Sequence, residues 1–425
     1  IAGCSVALHA AEAGRRVAVL EAKEVGWGAS SRNSGHVPPA SKQPPAEILR
    51  RYGPVFGPRL IKATREGPDL VFGLAEKHRM AADVVRSGNI VAAHTPAALS
   101  LLKQRAEDLQ ALGYPVEILG QRRTAEIIGS DEGYYFGCLS DRQGGTINPL
   151  AFVRGLARAA IAAAAEVYEN TAVTRLARTG GKWRVETAQG SVAADHVVLC
   201  TNAYTGDLWP GLRQSVVPVR AYQYVTKPLR DNVRKTILPG GQGMTDTRRL
   251  MSGIRIFPDG RLFFSGQGPV FGPEGPPALR PSLGRINEIF PQLGRLELDF
   301  VWTGWIAMNH EASWKIHQLA PGLLAALGCN GRGLAFATIL GRELARYMTG
   351  TPAAELVMPF SPLRRIAVHP IHSPLVKALI AYYKILDAME IRRWHWGRPA
   401  RRPGGGHRTD ACLLPGPRRP ASHGR

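Results

Sequence analysis

Residues 20–35 read LEAKEVGWGASSRNSG, and this stretch decides the fold class of the chain. It starts at the end of a short apolar run, residues 17–20, and continues as a loop rich in glycine and hydroxyl side chains. A short continuous apolar run is typical of a strand in a parallel sheet that is covered on both faces. Glycine lets the backbone approach a bound group closely. The stretch therefore predicts a buried strand that leads into a ligand-binding loop.

The residues just upstream complete half of a nucleotide-binding unit. Residues 4–13 are small, apolar and helically spaced, and Gly14 suits a helix end. Gly3 fits the third glycine of a G-x-G-x-x-G fingerprint, with the first two glycines before Ile1, and Glu21 stands where the ribose-binding acid belongs. We expect an α/β chain with a Rossmann-type domain whose first strand is missing. On these residues alone, a simple helix-start glycine and a surface acid remain the alternative.

The loop carries a specific resemblance. Residues 21–35 closely resemble the segment after the second strand in the D-amino-acid-oxidase-like FAD-dependent oxidoreductases, Glu-x-x-x-x-Gly-x-Gly-Ala-Ser-x-Arg-Asn-x-Gly. The resemblance implies FAD as the cofactor. It also implies that FAD is bound by Gly3, Glu21, Ala29, Ser30, Ser31, Arg32 and Asn33.

Three later motifs extend the resemblance over most of the chain. Residues 144–149 (GGTINP), 199–204 (LCTNAY) and 328–333 (GCNGRG) resemble a helix entry, a turn after a sheet strand and the turn before the last helix of the family. The N-terminus of that last helix offers unpaired N–H groups, which would stabilise negative charge on a reduced flavin. The resemblance adds these cofactor-binding residues: Val173, Thr201, Asn202, Gly328, Asn330, Gly331, Arg332 and Gly333.

The substrate side resembles one branch of the family. Residues 217–229 and 258–262 are similar to the gamma-glutamylputrescine oxidoreductase branch, but Gly253-Ile254-Arg255 and Asn309-His310-Glu311 depart from its usual Tyr-Phe-Arg and Thr-x-Asp. The resemblance implies oxidation of an amine or amino acid by hydride transfer to flavin N5, followed by imine hydrolysis. The predicted catalytic residues are Tyr222, Tyr224, Arg255 and His310, with Arg255 suited to a substrate carboxylate. The departures leave the substrate open.

The organisation of the chain follows from these motifs. A length of 425 residues favours two domains. We expect a discontinuous FAD-binding domain over 1–80, 144–212 and 312–387. A substrate domain on a mixed or antiparallel sheet is expected over 81–143 and 213–311, and a basic, disordered tail over 388–425.

Composition limits the partners. The net charge is +21, but nine arginines against Glu390 and Asp410 lie in residues 388–425 and the remaining charge is scattered, so we expect no nucleic-acid partner. The five cysteines form no CxxC pair, which predicts no metal site and a cytoplasmic location. No apolar run reaches the ~18 residues of a membrane span, so we expect no membrane partner.

The expected partners are therefore a small amine or amino acid and oxygen or another electron acceptor. Two alternatives stay open. The chain oxidises a 2-hydroxy acid or polyol phosphate instead, or it is an inactive truncated product.

Overall fold

A computed structural model describes residues 1–272, 278–367 and 369–395. The described helices are α1 (Ala2–Glu12), α2 (Ala29–Arg32), α3 (Pro45–Lys77), α4 (Pro96–Ala111), α5 (Gln121–Ile128), α6 (Pro149–Ala162), α7 (Asp231–Arg234), α8 (Leu279–Ile289), α9 (Leu334–Met348) and α10 (His372–His395). The described strands are β1 (Ala18–Leu20), β2 (His36–Val37), β3 (Asn89–Ala93), β4 (Val116–Leu119), β5 (Gly137–Asp141), β6 (Gly145–Thr146), β7 (Glu166–Tyr168), β8 (Val173–Thr179), β9 (Lys182–Thr187), β10 (Gly190–Ala194), β11 (Val197–Leu199), β12 (Val217–Pro228), β13 (Gly243–Asp246), β14 (Gly253–Ile256), β15 (Arg261–Gly266), β16 (Leu298–Met308), β17 (Lys315–Ala320) and β18 (Leu323–Leu327).

Parallel strand pairs and three helices form the nucleotide side of the molecule. β1 pairs in parallel with β7, and β11 pairs in parallel with β18. Helix α1 packs against α6 and α9, and its Leu8 is fully buried. A Cβ on Gly341 of α9 would lie 2.4 Å from the Cβ of Ser5, so only glycine allows α1 and α9 to approach this closely. The antiparallel strands β8, β9 and β10 form a separate small sheet.

An eight-stranded mixed sheet forms the substrate side. Its strand order is β16-β12-β15-β14-β13-β3-β5-β4, and every pair is antiparallel except β13 with β3. Side chains on neighbouring residues of a strand point to opposite faces. Tyr222 and Tyr224 of β12 therefore share one face with the buried core, and Gln223 lies on the other. The strands come from residues 89–141 and 217–308, and the division of the chain into domains stays a prediction.

A buried ion pair joins α3 to this sheet. Arg65 of α3 donates to the carboxylate of Asp141 at the end of β5, and both side chains are almost fully buried. The guanidinium also donates to the carbonyl of Pro39 at 3.1 Å and lies over the ring of Tyr114. Loop 38–43, which leads into α3, is thereby held close to the sheet.

The structure differs from the sequence predictions in three places. The sequence pattern predicts a helix over residues 58–80, but this helix already begins at Pro45 and has a kink at Gly53, where φ is 69°. The sequence pattern also predicts a strand over residues 84–91, and the strand lies at Asn89–Ala93. Helix α10 was not predicted, and it continues to His395, beyond the start of the tail predicted to be disordered from 388. The rest of that tail, 396–425, lies outside the described residues.

Among the described helices, none combines the length and apolar character needed to cross a membrane.

Candidate active site

A cavity of about 2080 Å³ lies between the nucleotide side and the eight-stranded sheet. It is lined by α1, β1, the loop that contains α2, the turn after β11, the N-terminus of α9 and one face of β12. Sites for drug-sized ligands occupy ~300–1,000 Å³. The cavity therefore has room for a dinucleotide together with a small substrate.

Three of the predicted cofactor residues line one part of the cavity wall. Gly3 lies in the first turn of α1, Glu21 follows β1, and Val173 begins β8. The Glu21 carboxylate accepts the backbone N–H of Lys23 at 3.0 Å, which fixes its rotamer at the end of the strand. A carboxylate held there can accept further hydrogen bonds from ribose hydroxyls.

Hydrogen bonds from the Asn33 side chain hold the loop that contains α2 in shape. Asn33 donates to the carbonyl of Ser30 at 2.9 Å and accepts the N–H of Gly35 at 2.9 Å. Gly35 has a φ of 70°, and a Cβ there would lie 2.1 Å from the carbonyl oxygen of Ile147, so only glycine fits. Ala29, Ser30, Arg32 and Asn33 line the cavity. Ser31 does not line it, and its hydroxyl donates to the carbonyl of Gly28 at 3.5 Å.

Side-chain amides connect two of the predicted motifs, residues 199–204 and 328–333. Thr201 and Asn202 line the cavity, and Asn202 Oδ1 accepts the backbone N–H of Gly328 at 3.0 Å. The buried Asn330 donates to the carbonyl of Gly328 at 2.7 Å and accepts the N–H of Asn309 at 3.0 Å. Gly328 lies behind the cavity wall, whereas Asn330, Gly331, Arg332 and Gly333 line it.

The N-terminus of α9 opens into the cavity beside two half-buried cations, Lys42 and Arg332. Gly333 is the N-cap and supplies no side-chain hydrogen bond, so the first N–H groups of α9 remain available. Burial, together with the nearby Arg105, lowers the pKa of Arg332 to about 10. Burial and the nearby Arg332 lower the pKa of Lys42. Neither cation makes an ion pair with any residue that the structure describes. The N-terminus of α9 together with Lys42 and Arg332 is suited to bind an anionic group.

The four predicted catalytic side chains lie outside the cavity wall. Tyr222 and Tyr224 are buried on the opposite face of β12, where their hydroxyls donate to the carbonyls of Pro269 and Gln267. Arg255 donates to the carbonyl of Ile147 at 3.0 Å, and burial lowers its pKa to about 9. The side chain of His310 is 70% exposed and lies 3.6 Å from Glu311.

Other polar side chains line the substrate side instead. Gln223 faces the cavity and accepts a 2.9 Å hydrogen bond from Ser265 on the neighbouring strand. His36 also lines the cavity, and burial followed by the charge of Arg255 lowers its pKa to about 3. Its Nε2 lies 3.1 Å from the carbonyl oxygen of Ile254, so Nε2 carries the proton and Nδ1 has a lone pair. The period-two alternation of β12 was the signal that could have identified Gln223.

Comparisons with known proteins agree with this geometry. The family model described as "FAD dependent oxidoreductase" matches residues 1–347. The chain is 29% identical to gamma-glutamylputrescine oxidoreductase of Escherichia coli over 395 residues, 92% of this chain and 91% of the relative. It is 27% identical to the probable oxidoreductase OrdL of Haemophilus influenzae over 396 residues, 91% and 89% of the two chains. The crystal structure of glycine oxidase from Geobacillus kaustophilus aligns with a TM-score of 0.72 at 22% identity, covering 86% of this chain and 96% of that one. This likeness confirms the predicted fold class.

Proposed function

Because the chain belongs to the family of FAD-dependent oxidoreductases, we propose that it oxidises an amine or amino acid that also carries a carboxylate. Family membership confirms the predicted cofactor, FAD. When bound, FAD would supply the oxidising chemistry by taking up a hydride from the carbon next to the substrate nitrogen, and water would then hydrolyse the imine product. The names of two relatives, gamma-glutamylputrescine oxidoreductase and glycine oxidase, support an amine substrate.

The residues that line the cavity fit FAD. Glu21 and the loop that contains α2 line the cavity, where Glu21 would bind the ribose and the loop would bind the rest of the cofactor. The uncapped N-terminus of α9 suits the negative charge that develops on the reduced ring. The half-buried Arg332 beside it adds a positive charge.

The charge distribution along the cavity carries the substrate proposal. The acidic residues that line it all come from the nucleotide side: Glu21, Glu166, Asp195 and Asp207. Loop 38–43 and the turn before α9 contribute Lys42 and Arg332 instead. Lys42 and Arg332 are half-buried and have no ion-pair partner among the described residues, so a substrate carboxylate that neutralises either of them is favoured over a simple diamine.

The same cations favour the reactive form of the amine. Nearby positive charge lowers the pKa of a bound ammonium group, so the substrate nitrogen is deprotonated more readily. His36 lines the cavity and stays neutral over the physiological pH range, and its Nδ1 is buried without a hydrogen-bond partner among the described residues. In this arrangement Gln223 and Ser265 orient the rest of the substrate.

Anaerobic reduction of the FAD-loaded enzyme tests the proposal. We expect gamma-glutamylputrescine or glycine to bleach the visible flavin band, and admission of air to restore it with formation of peroxide if oxygen is the acceptor. Putrescine, which lacks the carboxylate, should react much more slowly. Faster bleaching by putrescine would contradict the carboxylate requirement. Bleaching by a 2-hydroxy acid or polyol phosphate but by no amine would favour the alternative substrate class.

We also propose a cytoplasmic location. Cys4, Cys138, Cys200 and Cys329 are all free thiols in the structure. Unpaired cysteines of this kind support a reducing compartment.

A further inference from the structure

Residues 249–253 form a wall of the cavity that connects helix α10 to the substrate side. All residues of this segment line the cavity. At one end, the backbone N–H of Leu250 donates to the carboxylate of Asp387 on α10 at 3.3 Å. At the other end, a Cβ on Gly253 would lie 3.4 Å from Oγ of Ser265, which the proposed function places against the substrate. Four steps of an extended chain span at most about 14 Å, so an elongated substrate held at Ser265 reaches α10.

Two basic side chains line the cavity at the α10 end of this wall, Lys384 of α10 and Arg285 of α8. Lys384 precedes Asp387 by one helical turn, so the two side chains share one side of the helix. Lys384 is exposed, which places it where the cavity opens to solvent. Arg285 is half-buried and donates to the carbonyl of Leu250 at 2.7 Å. In the part of the chain that the structure describes, neither cation forms an ion pair.

The same wall carries a hydroxyl group that is available to a ligand. Thr245 of β13 lines the cavity beside Gly253, its partner in the neighbouring strand, and its buried Oγ1 has no hydrogen-bond partner among the described residues. The acidic residues that line the cavity belong to the nucleotide side. Asp387 and Glu390 of α10 do not line it, and Arg249 binds both. A remote anionic group of a substrate therefore meets two cations and a hydroxyl, and the described residues of this wall present no carboxylate to repel it.

We propose that the substrate carries a second anionic group, remote from the reacting nitrogen, and that Lys384 and Arg285 bind this group. The inference rests on the proposed function, in which Lys42 or Arg332 neutralises the first carboxylate. It narrows the substrate class to 2-amino dicarboxylates whose chain is long enough to extend along residues 249–253. Hydrogen bonds between ionised groups are stronger than neutral ones, so this contact selects for a charged remote end.

Anaerobic flavin reduction in the FAD-loaded, full-length protein tests this proposal. Racemic 2-aminooctanedioate is compared with racemic 2-aminooctanoate, which has the same chain but lacks the remote carboxylate. We expect the dicarboxylate to reach half of its maximal reduction rate at a concentration about ten-fold lower. Lys384→Met and Arg285→Gln should each remove most of this advantage. Lys377→Met, at an exposed position of α10 that does not line the cavity, is the matched control and should retain it.

Octanedioate provides a measurement without catalysis, because it has both carboxylates but no amine. Its binding is followed through the visible flavin spectrum. The dissociation constant should rise by about ten-fold in Lys384→Met and should stay at the wild-type value in Lys377→Met. Flavin content and circular dichroism confirm that each variant is folded.

The outcomes separate this proposal from the proposed function. Equal half-saturating concentrations for the two eight-carbon amino acids, or reduction by glycine but by neither of them, would overturn the second anionic group and leave the proposed function intact. A preference for the dicarboxylate that persists in Lys384→Met and Arg285→Gln would assign the remote group to other residues. Reduction by no amine would contradict the proposed function, and octanedioate binding, which needs no oxidation, would then decide whether Lys384 and Arg285 bind a carboxylate.

Discussion

Asn202 accepts the backbone N–H of Gly328 at 3.0 Å, although 126 residues separate them along the chain. The same oxygen lies 3.4 Å from the N–H of Cys329. The turn after β11 and the turn before α9 are therefore held together by one amide. Both turns line the cavity, so the position of the α9 N-terminus depends on Asn202.

Replacement of Asn202 by alanine should weaken the contact between the turn after β11 and the turn before α9. The change leaves the N–H of Gly328 without its partner, which costs about 1–3 kcal/mol, and Asn202 has a φ of 47°, which alanine tolerates poorly. We expect a lower free energy of unfolding and weaker FAD binding, measured by urea titration and by FAD titration of the apoprotein. Asn202→Asp keeps an acceptor oxygen and should restore most of both. If Asn202→Gly, which relieves the backbone strain, also restores both, the hydrogen bond is not the cause.

Glu21 provides a direct test of the ribose contact. Charge-assisted hydrogen bonds contribute ~1.5–3 kcal/mol, so Glu21→Ala should weaken FAD binding by about ten-fold or more. Glu24→Ala is the matched control, because the Glu24 side chain lies on the same loop and is 67% exposed. Equal FAD affinity for the Glu21 variant and the control would remove Glu21 from the site.

The nucleotide side was predictable because its signals are local. The apolar run before Glu21, the glycine-rich loop and the glycines before α9 each depend on short-range backbone geometry. The substrate side was less predictable, because the pairing of distant strands in the sheet determines which side chains face the cavity. On β12, Tyr222 and Tyr224 were predicted to be catalytic because of their residue type. The alternation of side chains along the strand instead places Gln223 in the cavity wall and both tyrosines in the core. Lys42 lies in an irregular loop, and no local pattern placed it beside Arg332.

Helix α10 was not predictable from the sequence for a different reason. Its apolar residues occur on both its inner and outer faces, so it lacks the single apolar face by which amphipathic helices are recognised. Its inner contacts depend on Arg249, which is distant in sequence.

Lys42 should determine the preference for carboxylate substrates. Lys42→Met removes a half-buried positive charge beside Arg332, so we expect KM for a carboxylate-bearing amine to rise by about ten-fold or more, since charge-assisted contacts are among the strongest hydrogen bonds. The rate with putrescine should change little. Lys62→Met, at a side chain that is 71% exposed, is the control. Equal losses of activity with both substrates would indicate a structural role for Lys42.

The Arg65–Asp141 pair should be important for stability. Asp141→Asn leaves the buried guanidinium without its counter-charge, and breaking a buried pair costs about 3–5 kcal/mol. Glu47→Gln breaks the exposed pair with Arg50 and should cost about 1 kcal/mol or less. Urea unfolding at neutral pH measures both. Similar small changes in the two variants would show that the buried pair is not a principal contact between α3 and the sheet.

His36 should make the folded state sensitive to acid. The pKa of His36 is about 3 in the folded protein because of burial and Arg255, against an ordinary value of 6.5. Between these two pH values the unfolded chain binds a proton that the folded chain does not bind. The free energy of unfolding therefore falls as the pH drops from 6.5 towards 3, by up to about 1.4 kcal/mol per pH unit from this residue. Above pH 6.5 the imidazole is neutral in both states, and its contribution is constant.

Comparison of His36→Gln with the wild type isolates this effect, because other titrating groups, including His9 and His317, are common to both proteins. The difference in free energy of unfolding should be constant above pH 6.5 and should shift in favour of the variant at pH 5 and below, measured by urea titration at each pH. His310→Gln, at a side chain that is 70% exposed, is the matched control for loss of a histidine. A difference between His36→Gln and the wild type that does not change with pH would show that the folded protein binds a proton at His36 as readily as the unfolded chain does. In that case His36 would not remain neutral in the wall of the cavity.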